Sequence, residues 1–151
     1  MQQQEIVAQL QYFYSLERQQ ADMYTSQGRQ QADRYLAEVF RAFADVEQLH
    51  AERVATLLRQ ISGSATVVGG TLGQLTGRAT GWTSAMTGLA NLLRLDIALE
   101  RKAMSDYQHF LLRAGDPPHL AVLWTNLVEE DLHAAWMERK LARLPHGRER
   151  K

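Results

Sequence analysis

Glu130-Asp131-Leu132-His133 is the stretch from which the fold of this chain can be read. On a helix, residues three apart share a face, so the Glu130 carboxylate and the His133 imidazole can reach one point in space. The same pair recurs 83 residues earlier as Glu47 and His50, in Glu47-Gln48-Leu49-His50. At that offset the single carboxylate Glu17 falls on Glu100. Residues with no ligating chemistry match as well: Leu16 and Arg18 on Leu99 and Arg101, Tyr24 on Tyr107, Asp33 on Asp116, Val39 on Val122, Leu49 on Leu132, and Ala51 on Ala134. No gap is needed. A duplicated unit, with two helices per copy, is the simplest account.

Four carboxylates and two imidazoles arranged in this way suit two adjacent first-row metal ions. Each ion would take one His and one terminal carboxylate, and two further carboxylates would bridge the pair. Iron or manganese fits such a hard oxygen set with one imidazole per ion. The alternative is six solvated helix-face charges, which is the usual reading of a lone Glu. Six residues at matched positions in two repeats argue against it.

The chain has 151 residues, 17 of them Lys or Arg and 17 Asp or Glu. One domain spanning 1–151 is the expectation. The basic residues are scattered, so no footprint for a nucleic-acid backbone is present. The sequence has no cysteine, which excludes disulfides and thiolate-held iron–sulfur centres within it. Electrons would have to come from an external donor. The opening Met1-Gln2-Gln3-Gln4-Glu5 resembles no secretory leader, and the expected location is cytoplasmic.

Apolar residues at helical spacing from about Ile6 predict helix 1, with a break at Gly28 and a helix-capping Asp33. Helix 2 follows to Ser62, which completes a hairpin over about 5–62. In the second hairpin, about 89–144, Gly115-Asp116-Pro117-Pro118 supplies a helix-ending Gly, an N-cap Asp and a Pro at the first position of helix 4. Gly115 is midway between Glu100 and Glu130, so a tight turn there puts both at one level, about 22 Å from the turn. Residues 145–151 read as a frayed tail. Between the hairpins, residues 63–88 carry Gly69, Gly73, Gly77 and Gly81, with an apolar stripe from Leu72 to Leu89. This is expected to be a Gly-rich crossover, its stripe packing on the bundle or in a homodimer. Membrane-surface contact through 67–93 is the less favoured reading. No run of about twenty apolar residues exists to span a bilayer.

The ordered set Glu, Glu-x-x-His, Glu, Glu-x-x-His resembles the ferritin-like di-iron carboxylate superfamily, an all-α four-helix bundle. In that superfamily such a pattern places metal ligands in the bundle core. The resemblance implies that Glu17, Glu47, His50, Glu100, Glu130 and His133 hold two iron ions, with manganese as the alternative and neither haem nor flavin as resident cofactor. It implies oxidoreductase chemistry with O2 or hydrogen peroxide, of rubrerythrin type. The alternatives are a monooxygenase like the demethoxyubiquinone hydroxylases, whose Gly-rich crossover is similar, or a ferroxidase for iron storage. A structural helical interaction module is the non-enzymatic alternative. Rubrerythrins add a seventh carboxylate one turn after the helix-3 Glu, where this chain has Ala103, and Gln20 holds the matching place on helix 1. Around the ligands, Tyr24 and Tyr107 are candidates to hydrogen-bond a carboxylate or relay protons. Asp96, whose repeat mate is Phe13, is a candidate to orient His50 or His133. His109, His119 and His146 are expected at the surface, and Met23, Met104, Trp124 and Trp136 in the core.

Overall fold

The computed structural model describes residues 1–62 and 88–145. Among these, four α-helices account for nearly all of the chain and no strand occurs: α1 Gln3–Gln30, α2 Arg34–Ser62, α3 Leu89–Ala114 and α4 Val122–Ala142. The predicted Gly-rich crossover, all of the Leu72 to Leu89 stripe except Leu89 itself, His146 and the end of the tail lie outside the described residues. No described helix is long and apolar enough to cross a membrane.

The helices pair as two antiparallel hairpins, α1 with α2 and α3 with α4. Two apolar clusters fill the bundle. One joins Leu10 and Phe13 of α1, Val54 and Leu58 of α2, Tyr107 and Leu111 of α3 and Leu123 of α4. The other joins Tyr24 of α1, Phe40 and Phe43 of α2, Leu93 and Ile97 of α3 and Met137 of α4. Each hairpin therefore runs from one cluster to the other and back, and the two hairpins point in opposite directions. Consequently α2 and α3 run parallel, the order that a crossover connection produces in a ferritin-like bundle. Between the clusters lies a buried polar layer.

The turns differ from their predicted chemistry in two places. Helix α1 does not break at Gly28; it continues to Gln30. Gly28 is buried because α2 passes close by: a Cβ there would sit 3.2 Å from the Ala37 carbonyl oxygen and 3.4 Å from Phe40 Cβ. The glycine marks a close helix approach, and Asp33 marks the actual start of α2, its Oδ1 accepting from the Leu36 N–H at 2.9 Å. In the second hairpin Gly115 ends α3 as predicted, in the left-handed region at φ 79°. The Asp116 N–H donates to the Leu111 carbonyl at 2.9 Å and the Gly115 N–H to the Leu112 carbonyl at 3.2 Å, a Schellman closure. Asp116, however, is not an N-cap. At φ 48° it lacks the extended backbone that a cap requires, and its Oδ1 accepts instead from Trp124 Nε1 at 2.7 Å. Pro118 opens a 3-10 turn, Pro118–Leu120, and α4 begins only at Val122.

Candidate metal centre

The polar layer contains all six of the repeat-matched residues. Glu17 comes from α1, Glu47 and His50 from α2, Glu100 from α3, Glu130 and His133 from α4. Five are fully buried and His133 is 5% exposed. They form two overlapping groups, Glu17–Glu47–His50–Glu130 and Glu47–Glu100–Glu130–His133, within each of which one ligating atom per residue lies within 4.8 Å of all the others. Glu47 and Glu130 belong to both.

The two shared carboxylates divide their oxygens between the two imidazoles. His50 Nδ1 is 3.2 Å from Glu47 Oε2 and 3.2 Å from Glu130 Oε1, with Glu17 Oε2 at 3.6 Å. His133 Nδ1 is 3.0 Å from Glu47 Oε1 and 3.8 Å from Glu130 Oε2, with Glu100 Oε1 at 3.5 Å. One Nδ1–H cannot satisfy three carboxylates. Accordingly Glu17 Oε2, Glu47 Oε1, both oxygens of Glu130 and His133 Nδ1 are buried with no hydrogen-bond partner among the described residues. Such orphaned buried atoms are costly unless a cation takes them. Hard oxygens with one imidazole nitrogen each are the donor set of iron or manganese, so the residues fit two such ions.

Without a cation the charges are strained. Burial pushes the Glu17 carboxyl up to about 8 against a counteracting bond from His50, with Glu47 adding repulsion. Burial and then the charges of Glu100, Glu47 and Glu17 push Glu130 well above the carboxylate range. Glu47 goes the other way: burial opposes its ionisation, but the two imidazoles outweigh burial and bring it down to about 2. His133 rises to about 11, because Glu100, Glu130 and Glu47 overcome the burial that would keep it neutral. His50 rises further for the same kind of reason, with Glu130, Glu17 and Glu47 as its partners. The metal-free layer is thus a proton-holding cluster, and cations binding there would displace those protons.

Tyr24 and Tyr107 sit as predicted beside carboxylates, but each serves the opposite repeat. The Tyr24 hydroxyl donates to Glu100 Oε1, and the Tyr107 hydroxyl to Glu17 Oε1. Seven residues along its own helix a tyrosine is about 10.5 Å from its own Glu; the antiparallel partner helix brings the other Glu level with it. Burial, with the neighbouring carboxylate, raises both phenols well above their usual range, so both remain donors.

Asp96 does not orient an imidazole. Its Oδ1 accepts from Gln27 Nε2 at 3.0 Å, and burial pushes its carboxyl up to about 7. The residue that does meet a ligand imidazole is Glu129: its Oε2 lies 2.8 Å from His50 Nε2 and also takes Arg53 Nη1. Arg53 and the His50 contact bring the Glu129 carboxyl below its usual range despite partial burial. Arg53 Nη1 also donates to Asn126 Oδ1 at 3.0 Å, and Asn126 Nδ2 to the Tyr107 hydroxyl at 3.1 Å. The sequence carried a signal for this set: Glu129 and Asn126 are polar where their repeat mates, Val46 and Phe43, are apolar. At the seventh-carboxylate positions, Ala103 is buried and Gln20 Nε2 reaches Glu100 Oε2 at 3.3 Å. His109 and His119 are exposed as expected. Met23, Met104, Trp124 and Trp136 are partly buried at the rim of the core, whose methionine is Met137.

Fold, ligand order and buried geometry define a ferritin-like di-iron carboxylate bundle. More narrowly, the chain belongs to the rubrerythrin family, whose family model matches residues 9–141. No curated protein and no solved structure matches it.

Proposed function

We propose that this protein is a non-haem di-iron oxidoreductase that reduces hydrogen peroxide or O2 with electrons from an external donor. The observation that carries this reading is the pair of buried ligand sets sharing Glu47 and Glu130. Glu17 and His50 would hold one ion, Glu100 and His133 the other, and the two shared carboxylates both. When bound, the pair of ions supplies two electrons, one from each, for reductive cleavage of an O–O bond. Manganese would occupy the same donors.

The chain's own residues do the rest. Tyr107 holds Glu17 Oε1 and leaves Oε2 unpartnered toward His50, while Tyr24 and Gln20 each hold one oxygen of Glu100. Asn126 holds the Tyr107 hydroxyl in place. The apolar clusters on either side keep bulk water from the charges, which strengthens their mutual interactions. A purely structural helical module would gain nothing from so many unpartnered buried ligand atoms. A homodimer and a cytoplasmic location complete the proposal.

Anaerobic loading with iron, followed by mixing with peroxide and with O2, tests it. Two ions per chain and oxidation of both by at least one oxidant are expected, faster with peroxide for a rubrerythrin-type cycle. Product formation only when a quinone is added would move the assignment to a hydroxylase. Failure of both oxidants to react with the loaded protein would end the redox assignment.

A further inference from the structure

Where α2 begins and α4 ends, a surface cavity of about 340 Å³ is lined by Tyr35, Trp136, Arg139, Lys140 and Arg143. Its two aromatic walls are tilted 45° to each other with ring centroids 6.4 Å apart, and Tyr35 is 62% exposed. None of the three cations has an ion-pair partner among the described residues; the adjacent Glu138 is engaged by Arg101. Cations at a helix C-terminus complement its dipole. That accounts for their place in the sequence and leaves the aromatic walls unexplained.

Behind the cavity a file of rings leads inward. Trp136 packs edge-on against Phe43 at 5.6 Å between centroids, and Phe43 lies 4.2 Å from the His133 ring. Near His50 the repeat places Arg53 and Asn126 where Trp136 and Phe43 stand here, and both are committed to hydrogen bonds. On the His133 side these rings make a continuous aromatic route from the surface to a candidate ligand, and a second file, Tyr12, Phe13 and Tyr107, leads to Glu17.

We propose that this cavity receives a small, planar, phosphate-bearing reductant of the dihydroflavin class, as a diffusible substrate, and that its electrons reach the centre through Trp136, Phe43 and His133. The proposal rests on the redox reading above, which requires an electron source that a chain without cysteine does not carry in thiolate-bound iron. A planar ring can stack on one of the two aromatic walls, and a phosphate matches the guanidinium forks of Arg139 and Arg143. The volume is within the range of small-ligand sites. The balance is simple: the dihydroflavin gives up two electrons, one at a time, and two protons and leaves as oxidised flavin. Two ferric ions held by the six residues would accept one electron each, and the two protons would pass to solvent.

Flavin mononucleotide and riboflavin, which lacks the phosphate, are the probes, with binding followed by quenching of flavin fluorescence on both metal-free and iron-loaded protein. The nucleotide is expected to bind at least tenfold more tightly than riboflavin, with the margin shrinking at high salt and in Arg139→Gln/Arg143→Gln. Anaerobic reduction of the iron-loaded protein by dihydroflavin mononucleotide then tests the route. Phe43→Leu with iron content intact should keep nucleotide binding and reduce at least tenfold more slowly, whereas Trp136→Leu should lose both. Equal binding of the two flavins, or wild-type reduction of iron-replete Phe43→Leu, would overturn the proposal. A protein that loads iron but binds no flavin sinks the cavity alone; one that binds flavin but loads no iron sinks the redox reading and the electron route with it.

Discussion

The two halves of the buried polar layer have the same candidate ligands and opposite surroundings. Around His50 the next layer is polar: Glu129 takes its Nε2, Arg53 holds Glu129, and Asn126 links Arg53 to Tyr107. Around His133 the matching positions are Val46, Trp136 and Phe43, and the imidazole lies against the Phe43 ring. A carboxylate on the far nitrogen fixes the ring's tautomer and orientation, leaving Nδ1 free for a cation, and makes it a stronger donor. An aromatic neighbour supplies packing without that polarisation. The repeat accounts for the equal candidate ligands, and divergence in the next layer leaves the two positions unequal, one with a charged outer partner and the other with an aromatic one.

The largest effect should come from a change that ignores the difference. Glu47→Ala removes an oxygen donor from both positions at once, and metal analysis should fall from about two ions per chain toward none, with circular dichroism reporting whether the helices remain. His50→Ala or His133→Ala should each remove much of the metal, and full occupancy in either would undo the ligand assignment.

Glu129→Ala isolates the comparison itself. Loss of such an outer partner typically costs 10–100-fold in metal affinity, and here it should weaken only the His50 position. Calorimetric titration of the wild type should show two steps that merge in this variant. Glu129→Gln, which still accepts a hydrogen bond, should recover part of the separation. Two equal steps in the wild type would show that the outer layer does not discriminate.

The tyrosines give a smaller contrast. Tyr24→Phe and Tyr107→Phe each remove a hydrogen bond to a carboxylate, roughly 1.5–3 kcal/mol when the partner is charged. Tyr107→Phe also strands Asn126 Nδ2, so its loss of thermal stability should be the larger of the two.

The last effect depends on pH and concerns Asp96, whose repeat mate Phe13 sits in an apolar cluster, stacked 4.1 Å from Tyr107. The Asp96 carboxyl is raised from an ordinary 3.8 to about 7 in the folded protein. Between those values the unfolded chain ionises first, so this group's contribution to stability declines as pH rises from about 4 to 7 and then levels off. Asp96→Asn should therefore gain melting temperature relative to the wild type across that window, and a constant difference at all pH values would contradict it. The measurement belongs on metal-free protein.

The repeat made the six clustered residues legible from sequence alone, because an offset that aligns Glu, Glu-x-x-His with itself brings them to one level of the bundle. The helix count followed from the same alignment. What stayed hidden had a physical reason each time. Gly28 as a stop and Gly28 as a point of close approach are the same letter, and only α2 passing over it separates them. Asp116 looked like a cap, but a cap is defined by backbone angles, and Asp116 is held in the left-handed region by the closure that ends α3. Glu129 stood beside a stronger signal, Glu130. The tyrosines were legible as residues beside carboxylates and illegible in their partners, since spacing along one helix does not reveal which antiparallel neighbour lies level with it.

That exchange of tyrosines says something about ancestry. Neither hairpin finishes its own half: Tyr24 completes the ligand Glu100, Tyr107 completes Glu17, and Glu47 and Glu130 each serve both positions. A lone hairpin of this sequence would offer a row of unmatched charges, and two copies meeting head to tail would close the centre. The chain has the geometry of a gene fusion that tied such a pair together, and once tied, each copy was free to drift in its outer layer without having to fit a twin carrying the same change.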